Sequence, residues 1–535
     1  MRTYRVIAVS AMLLATTGKV SADELAAPGY KITRLVAPSE FHGIHGLAFD
    51  AQDRLYAGSV SGQCTYRVDR HTGKVEVEIP PPEGLADDLI FLPDGTQVWT
   101  SISHGMVRAR TGDGPIRVLA DKLPGANSLS FRKSDKRLFL AQVFGGDALW
   151  EIDVTGAKPP RNILKDLGGL NGFDIGPDGW IYGPLWFKGQ VVKINPDTAE
   201  LKVVAEGLRI PAAANFDSKW NLYVLDAALG TVNKIDIATG AKTVVAQLDP
   251  SLDNLAIDSH DRVFVSNMAD NGIQEVNVKT GKARQVIKGS LSNPRALAAI
   301  DDFIYVADMF AYRRVDARNG KVETLDRVFA ADTKIDYPTV IAAGAHVLLV
   351  NGSGTIGRYD GKSGKLLDQV HGPRGVSAIV ELPDGRVALA MRSGSISTLE
   401  ATEGATPKPL AEGFQRPAAL STRGDSLYVS DIGAHQIVKV NLTDGAKTVV
   451  APDVHLGLAM AMVTDDNLIV LERGLKRIVE IDVRTGAVTE IATHLPIGWL
   501  PETSAPLAVG LTVDTDGAIY FSSDIDNSLY RLTRK

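Results

Sequence analysis

Asn221-Leu-Tyr-Val224, Val232-Asn-Lys-Ile-Asp236, Thr239-Gly240 and Thr243-Val-Val245 together decide the fold. Two short runs alternate apolar with polar residues, an Asp and a Thr-Gly pair turn the chain, and a valine-rich run follows. That is the pattern of short antiparallel strands joined by tight turns. The phrase recurs upstream as Leu47-Ala-Phe-Asp50, Leu55-Tyr56-Ala57, Tyr66-Arg-Val-Asp69 and Thr72-Gly73-Lys74, before Val75 to Ile79. It recurs downstream as Ser426-Leu-Tyr-Val429, Ile437-Val-Lys-Val-Asn441 and Thr448-Val-Val450. No segment shows sustained helical periodicity. A four-strand repeat of about 40 residues is a β-propeller blade.

Counting second strands, from Arg54-Leu-Tyr-Ala57 to Ile519-Tyr520, predicts an all-β chain of about twelve four-stranded blades. Rings usually hold four to eight blades, so tandem β-propellers of six blades each fit best, with a seven-plus-five split as the alternative. The expected boundaries are 38–290 for the first ring and 291–535 for the second. The last copy stops after Leu529 to Leu532 without a fourth strand, whereas Lys31-Ile-Thr-Arg-Leu-Val36 is a lone strand near the start. Donating it from the segment 23–37 to the last blade would pair both exposed edges. A frayed terminus is the plainer alternative.

The chain has 535 residues, a formal net charge of −6 and a single cysteine, Cys64. An acidic balance argues against a general nucleic-acid binder, and one cysteine excludes an intrachain disulfide and a Cys-type zinc site. Arg2 and Arg5, the apolar run from Val6 to Thr17 and Val20-Ser21-Ala22 read as a signal peptide over residues 1–22. The run is too short to anchor in a bilayer and no later stretch is long enough, so a periplasmic or secreted protein without a membrane span is expected. A Gly-x-Ser-x-Gly elbow and a phosphate-binding glycine loop are both absent from the sequence.

The two halves differ at the axis. Four positions before the inner-strand residues Phe49, Phe91, Phe131, Ile175, Phe216 and Ile257 stand His45, Asp87, Asn127, Asn171, Ala212 and Asp253. The steps are 42, 40, 44, 41 and 41 residues, which is a register. The corresponding positions of the later half, Arg295, Pro338, Val376, Pro417, Leu458 and Val509, are nearly all apolar. Inward Asp, Asn and His are costly unless hydrogen-bonded, hydrated or bound to a ligand. Such an oxygen-rich set suits Ca²⁺ or Mg²⁺, and an imidazole also admits Zn²⁺ or Mn²⁺. The plain alternative is a wet channel whose polar groups satisfy one another.

Leu170-Asn171-Gly172-Phe173, Pro177-Asp178-Gly179 and Ile181-Tyr182 resemble the signature of the regucalcin/gluconolactonase group. The resemblance implies a six-bladed, NHL-like propeller with one metal at the channel mouth and lactonase activity. By blade order the family's two Asn ligands fall on Asn127 and Asn171, its first-blade Glu on His45 and its fifth-blade Asp on Ala212. Two of the four positions thus depart from the pattern, and Asp87 and Asp253 are the substitute carboxylates. The metal set expected from this is His45, Asn127, Asn171 and Asp253, with His45, Asp87 or Asp253 as the general base toward a metal-polarised water. His42 and His104 are expected to be surface or loop histidines.

In the second ring, Arg295, Arg374 and Arg416 stand in loops leading into three blades and are suited to carboxylates. His371-Gly-Pro-Arg-Gly375 resembles, over a short pattern, the Gly-Pro loops of the virginiamycin B lyase family. The expectations are therefore a metal-dependent hydrolase of a lactone or related ester, a non-catalytic propeller for a small ligand or protein partner, and a propeller lyase. A protein partner would dock on the second ring.

Overall fold

Short alternating strands satisfy their backbone groups by pairing with their chain neighbours, and their turns must be closed locally. Asp236 shows how: its Oδ1 accepts the backbone N–H groups of Ala238 and Thr239 and folds the chain into the next strand. The computed structural model describes residues 25–400, 402–502 and 509–535. Residues 1–22, the expected signal segment, lie outside the described residues.

Twelve antiparallel four-stranded sheets follow one another along the chain. Blades 1 to 6 span 47–79, 89–120, 126–165, 174–205, 211–247 and 252–287. Blades 7 to 11 span 294–327, 338–371, 376–411, 417–451 and 457–492. The inner strand of blade 1 packs beside those of blades 2 and 6, and that of blade 7 beside those of blades 8 and 12, so two six-bladed rings close. Apolar side chains fill the wedges between blades, as with Phe139, Leu149, Ile181 and Leu185 between blades 3 and 4.

Blade 12 takes three strands from 511–534 and its outer strand from the amino-terminal end, in the order Tyr30–Arg34, Leu529–Arg534, Ile519–Ser522, Leu511–Val513. Tyr30 pairs with Arg534 and Arg34 with Tyr530. Ile32 and Val36 are buried in the adjoining cores.

The rings meet through the loops around their channel mouths. Met268, Ala269, Phe310 and Ala311 form a buried cluster between them. Trp186 meets Phe329 edge-on at 5.0 Å. His42, expected on the surface or in a loop, is buried: its ring stacks on Trp499 at 4.0 Å and bonds Tyr66 Oη and the Ile525 carbonyl. Burial pushes its pKa down to about 4, so it pins the rings as a neutral ring. The chain crosses between the rings near residues 35–41 and 288–293. Asn271 ties both crossings by donating to the Phe41 and Leu291 carbonyls, at 2.6 and 3.1 Å.

Candidate functional site

At the first channel mouth each inner strand begins against its neighbour with almost no space between backbones. A Cβ on Gly46 would stand 2.6 Å from the Asp87 carbonyl, and one on Gly172 would stand 2.6 Å from the Ala213 Cβ. Only glycine permits this approach, and the Gly46 N–H donates to the Asp87 carbonyl at 2.8 Å. His45 is thereby carried to Asp87, and Asn171 to the edge of blade 5. In blades 3 and 6 a register irregularity falls at the site: pairing skips from Ala126 to Ser128 and from Leu252 to Leu255. Such bulges re-aim side chains, here Asn127 and Asp253, into the mouth.

The five expected residues form one connected network. His45 Nδ1 lies 3.2 Å from Asp253 and 3.7 Å from Asp87. Asn127 Nδ2 donates to the other oxygen of Asp87 at 2.5 Å. Ser128 Oγ lies 2.6 Å from Asn127 Oδ1 and 2.9 Å from Asn171 Oδ1, so Asn171 joins only through Ser128. Ala212, the position without a polar group, is buried.

Three members, Asp88, Ser128 and Asn254, lie outside the register. Asp88 accepts the backbone N–H groups of Leu89 and Leu129 and Asn254 Nδ2 across the axis. It and Ser128 stand one residue beyond the register. The signal was present: the next position is also polar in blades 2, 3 and 6 (Asp88, Ser128, Asn254).

The second ring roofs this network. Phe310 meets the His45 ring edge-on at 5.4 Å, and Tyr337 meets Phe310 at 6.0 Å. Burial, together with the charges of Asp253 and Asp87, raises the Tyr337 pKa. His45 Nε2 is sealed from solvent and has no hydrogen-bond partner among the described residues. Asp87 and Asp253 keep 15% and 17% of their side chains exposed, a little more than the 10% of His45.

Protonation follows from this crowding. Burial disfavours imidazolium at His45, but Asp253 and Asp87 outweigh it and raise its pKa. Burial raises Asp87, with His45 opposing and Asp253 and Asp88 adding to the rise. Burial pushes Asp88 up to about 7 despite its three donors. All three pKa values are raised on folding, so the folded state binds protons that the unfolded chain releases. The carboxylates then lose stability as pH climbs from about 4 to about 7, and His45 loses its contribution as pH rises from 6.5 through its raised value. Tm is expected to fall between pH 6.5 and 8, above the range in which the neutral His42 ring gains stability with pH, and the fall should shrink in Asp87→Asn. Each tenfold change in proton affinity is worth roughly 1.4 kcal/mol. A Tm that rises over this window, measured by calorimetry, would contradict the assignment.

The donor types fit a hard cation, but they do not converge as they stand. Both Asn oxygens face Ser128, and the Asn127 nitrogen faces Asp87. Among the described residues, the group of acidic and imidazole ligand atoms lying within 4.8 Å of one another is Asp53, Asp258 and His260, away from the axis. That group is committed elsewhere, Asp258 to Arg70 and Arg262 and Asp53 to Ser259.

The second channel encloses about 730 Å³, with Val340, Leu458 and Met460 among its apolar lining. Of the three expected arginines, Arg295 and Arg416 line it together with Arg392, whereas Arg374 is not among its lining residues. His104 is exposed in a short turn over Ile102–His104.

Fold and site together define a tandem six-bladed β-propeller with an acid–histidine cluster beneath the junction of its rings. No family model matches the chain, and no curated protein matches it. Among solved structures, it is similar to an extracellular domain described as part of a hybrid two-component system of B. thetaiotaomicron. That match is 10% identical with a TM-score of 0.33 and covers 94% of this chain and 82% of that one. It is also similar to virginiamycin B lyase from Staphylococcus aureus, 13% identical with a TM-score of 0.25, over 60% of this chain and 95% of that one. Likenesses this distant lend no function, and the fold stands on the chain's own sheets. No helix among the described residues is long and apolar enough to cross a membrane.

Proposed function

We propose that this protein is an exported hydrolase that opens a lactone or related ester at the mouth of the first ring. The observation that supports this most is the convergence of two partly exposed carboxylates, Asp87 and Asp253, on Nδ1 of His45 beneath Phe310. Asp87 takes a proton from water, and the water oxygen adds to the ester carbonyl. The acyl carbon–oxygen bond then breaks, and the proton passes to the departing alkoxide. His45, held as imidazolium by Asp253, offsets the negative charge that would otherwise push both carboxylates toward protonation. His45 is thus a positioning residue, with Asp87 and Asp253 facing the substrate.

A divalent cation, Ca²⁺ first and Mg²⁺, Mn²⁺ or Zn²⁺ as alternatives, would supply Lewis-acid polarisation of the carbonyl. His45, Asn127, Asn171 and Asp253 are the residues that would hold it; His45 would then have to give up its proton and bind as the neutral ring, and the two Asn side chains would have to turn away from Ser128 and Asp87. The signal-like residues 1–22 are the ground for placing the protein in the periplasm or outside the cell.

The test is to incubate the protein with a panel of lactones in ¹⁸O-labelled water, alongside metal analysis of the purified chain. Incorporation of solvent oxygen into a ring-opened acid is expected. A ring-opened alkene without label would replace hydrolysis by elimination, the lyase reading. One observation favours a non-catalytic binding propeller instead, namely that most of the cluster's polar groups already satisfy one another. A ligand retained intact would establish that reading.

A further inference from the structure

Several arginines of the second ring that are withdrawn from solvent carry carboxylate partners, whereas Arg531 rests over the Tyr520 ring instead. Arg313 pairs with Asp308, Arg327 with Asp270, Arg473 with Asp524 and Arg477 with Glu472. The mouth of the second channel breaks this pattern. Arg295, half-buried there, donates to Asn293 Oδ1 and to the Met309 sulfur, at 3.3 and 3.2 Å, and has no carboxylate partner among the described residues. The side chains of Arg392 and Arg416 line the same channel without a hydrogen bond or ion pair among the described residues. Asp308, whose charge acts on Arg295, is already committed to Arg313 and to the backbone N–H groups of Ser292 and Asn293. Burial and the neighbouring Arg392 charge press the Arg295 pKa down to about 10, so the two guanidinium groups repel each other across the mouth.

Like charges gathered at one mouth repel, and an anion between them relieves the repulsion; the carboxylate among the channel's lining residues, Glu381, stands at the far end of its inner strand, away from Arg295, Arg392 and Arg416. A planar guanidinium fork matches a carboxylate by two parallel hydrogen bonds. The position carries a second meaning. Met309, which Arg295 touches, also contacts Ser61 of the first ring at 3.1 Å, and its neighbour Phe310 covers His45. The Met309–Phe310 turn therefore touches both the basic mouth and the acidic mouth.

We infer that Arg295, Arg392 and Arg416 form an anion site in the mouth of the second ring that takes the carboxylate of a small organic ligand. Resting on the hydrolase reading, this narrows the substrate to a lactone or ester that also bears a carboxylate, held by the second ring while the first ring acts on it.

Calorimetric titration of the full chain with succinate at low ionic strength tests the site, with inorganic phosphate as the second probe. Saturable succinate binding is expected. It should weaken at least tenfold in Arg295→Met and in the double variant Arg392→Gln/Arg416→Gln, whose side chains are exposed and whose fold is not at risk. Asp87→Asn should leave succinate binding unchanged, so loss of turnover and loss of anion binding are read separately. If succinate does not bind, or binds the double variant as well as the parent, the site is refuted. Phosphate binding more tightly than succinate would refute the carboxylate assignment. If succinate binds as expected but no lactone is opened, the anion site stands and the hydrolase reading falls.

Discussion

Asp87→Asn is expected to lower turnover by roughly 10²–10⁴, the usual worth of a positioned general base. The side chain keeps its shape and its contact with Asn127, so the fold should survive. His45→Gln separates a positioning role from a structural one. Without the imidazolium between them, Asp87 and Asp253 repel, and the base binds its proton more tightly. Since a base works only when deprotonated, the acidic limb of the pH–rate profile should move to higher pH. Activity at pH 7 should fall and recover in part above it. Steady-state kinetics across pH on the first ester found to turn over would decide this. An unchanged profile in His45→Gln would remove His45 from the mechanism, and full activity in Asp87→Asn would remove the base.

Deleting residues 23–37 is expected to destabilise the second ring far more than the first. The strand Tyr30–Arg34 supplies the outer edge of blade 12, and Ile32 and Val36 are almost fully buried beside it. Fully burying such side chains contributes about 1.5–3 kcal/mol each, so two of them with the lost ladder approach the stability of an ordinary domain. Hydrogen exchange should show amides of 519–534 and 294–316 losing protection before those of 126–165. Equal loss in both rings would mean that this strand does not close the second ring on its own.

The blades were legible because their signals are local. Alternation, Asx turns and branched residues lie within a few positions of one another, and twelve copies corrected any single misreading. The register of His45, Asp87, Asn127, Asn171 and Asp253 was legible for the same reason. Asp88 and Ser128 escaped because a strict two-residue period lets only one of two adjacent residues face the channel. The chain departs from that period here, at Asn127 and Asp253 by an explicit bulge. The roof of Phe310 and Tyr337 escaped for a different reason. It arises from the facing of two rings, which no repeat inside either ring encodes. His42 lies in a loop as expected, but its burial escaped likewise, since its partners Trp499 and Ile525 belong to the far end of the chain.

The closing strand also changes what kind of molecule this is. With both described ends of the chain woven into blade 12, the first ring is an insertion looped out of the second. The rings are joined by two covalent tethers side by side, both fastened by Asn271, and the first also by Asn527 through the Phe41 carbonyl. Two adjacent tethers act as a door hinge and not as a swivel: they permit opening about one line and resist twist. Phe310, packed at this junction beside the second tether, is thereby held over His45, and the acidic and basic mouths are held face to face.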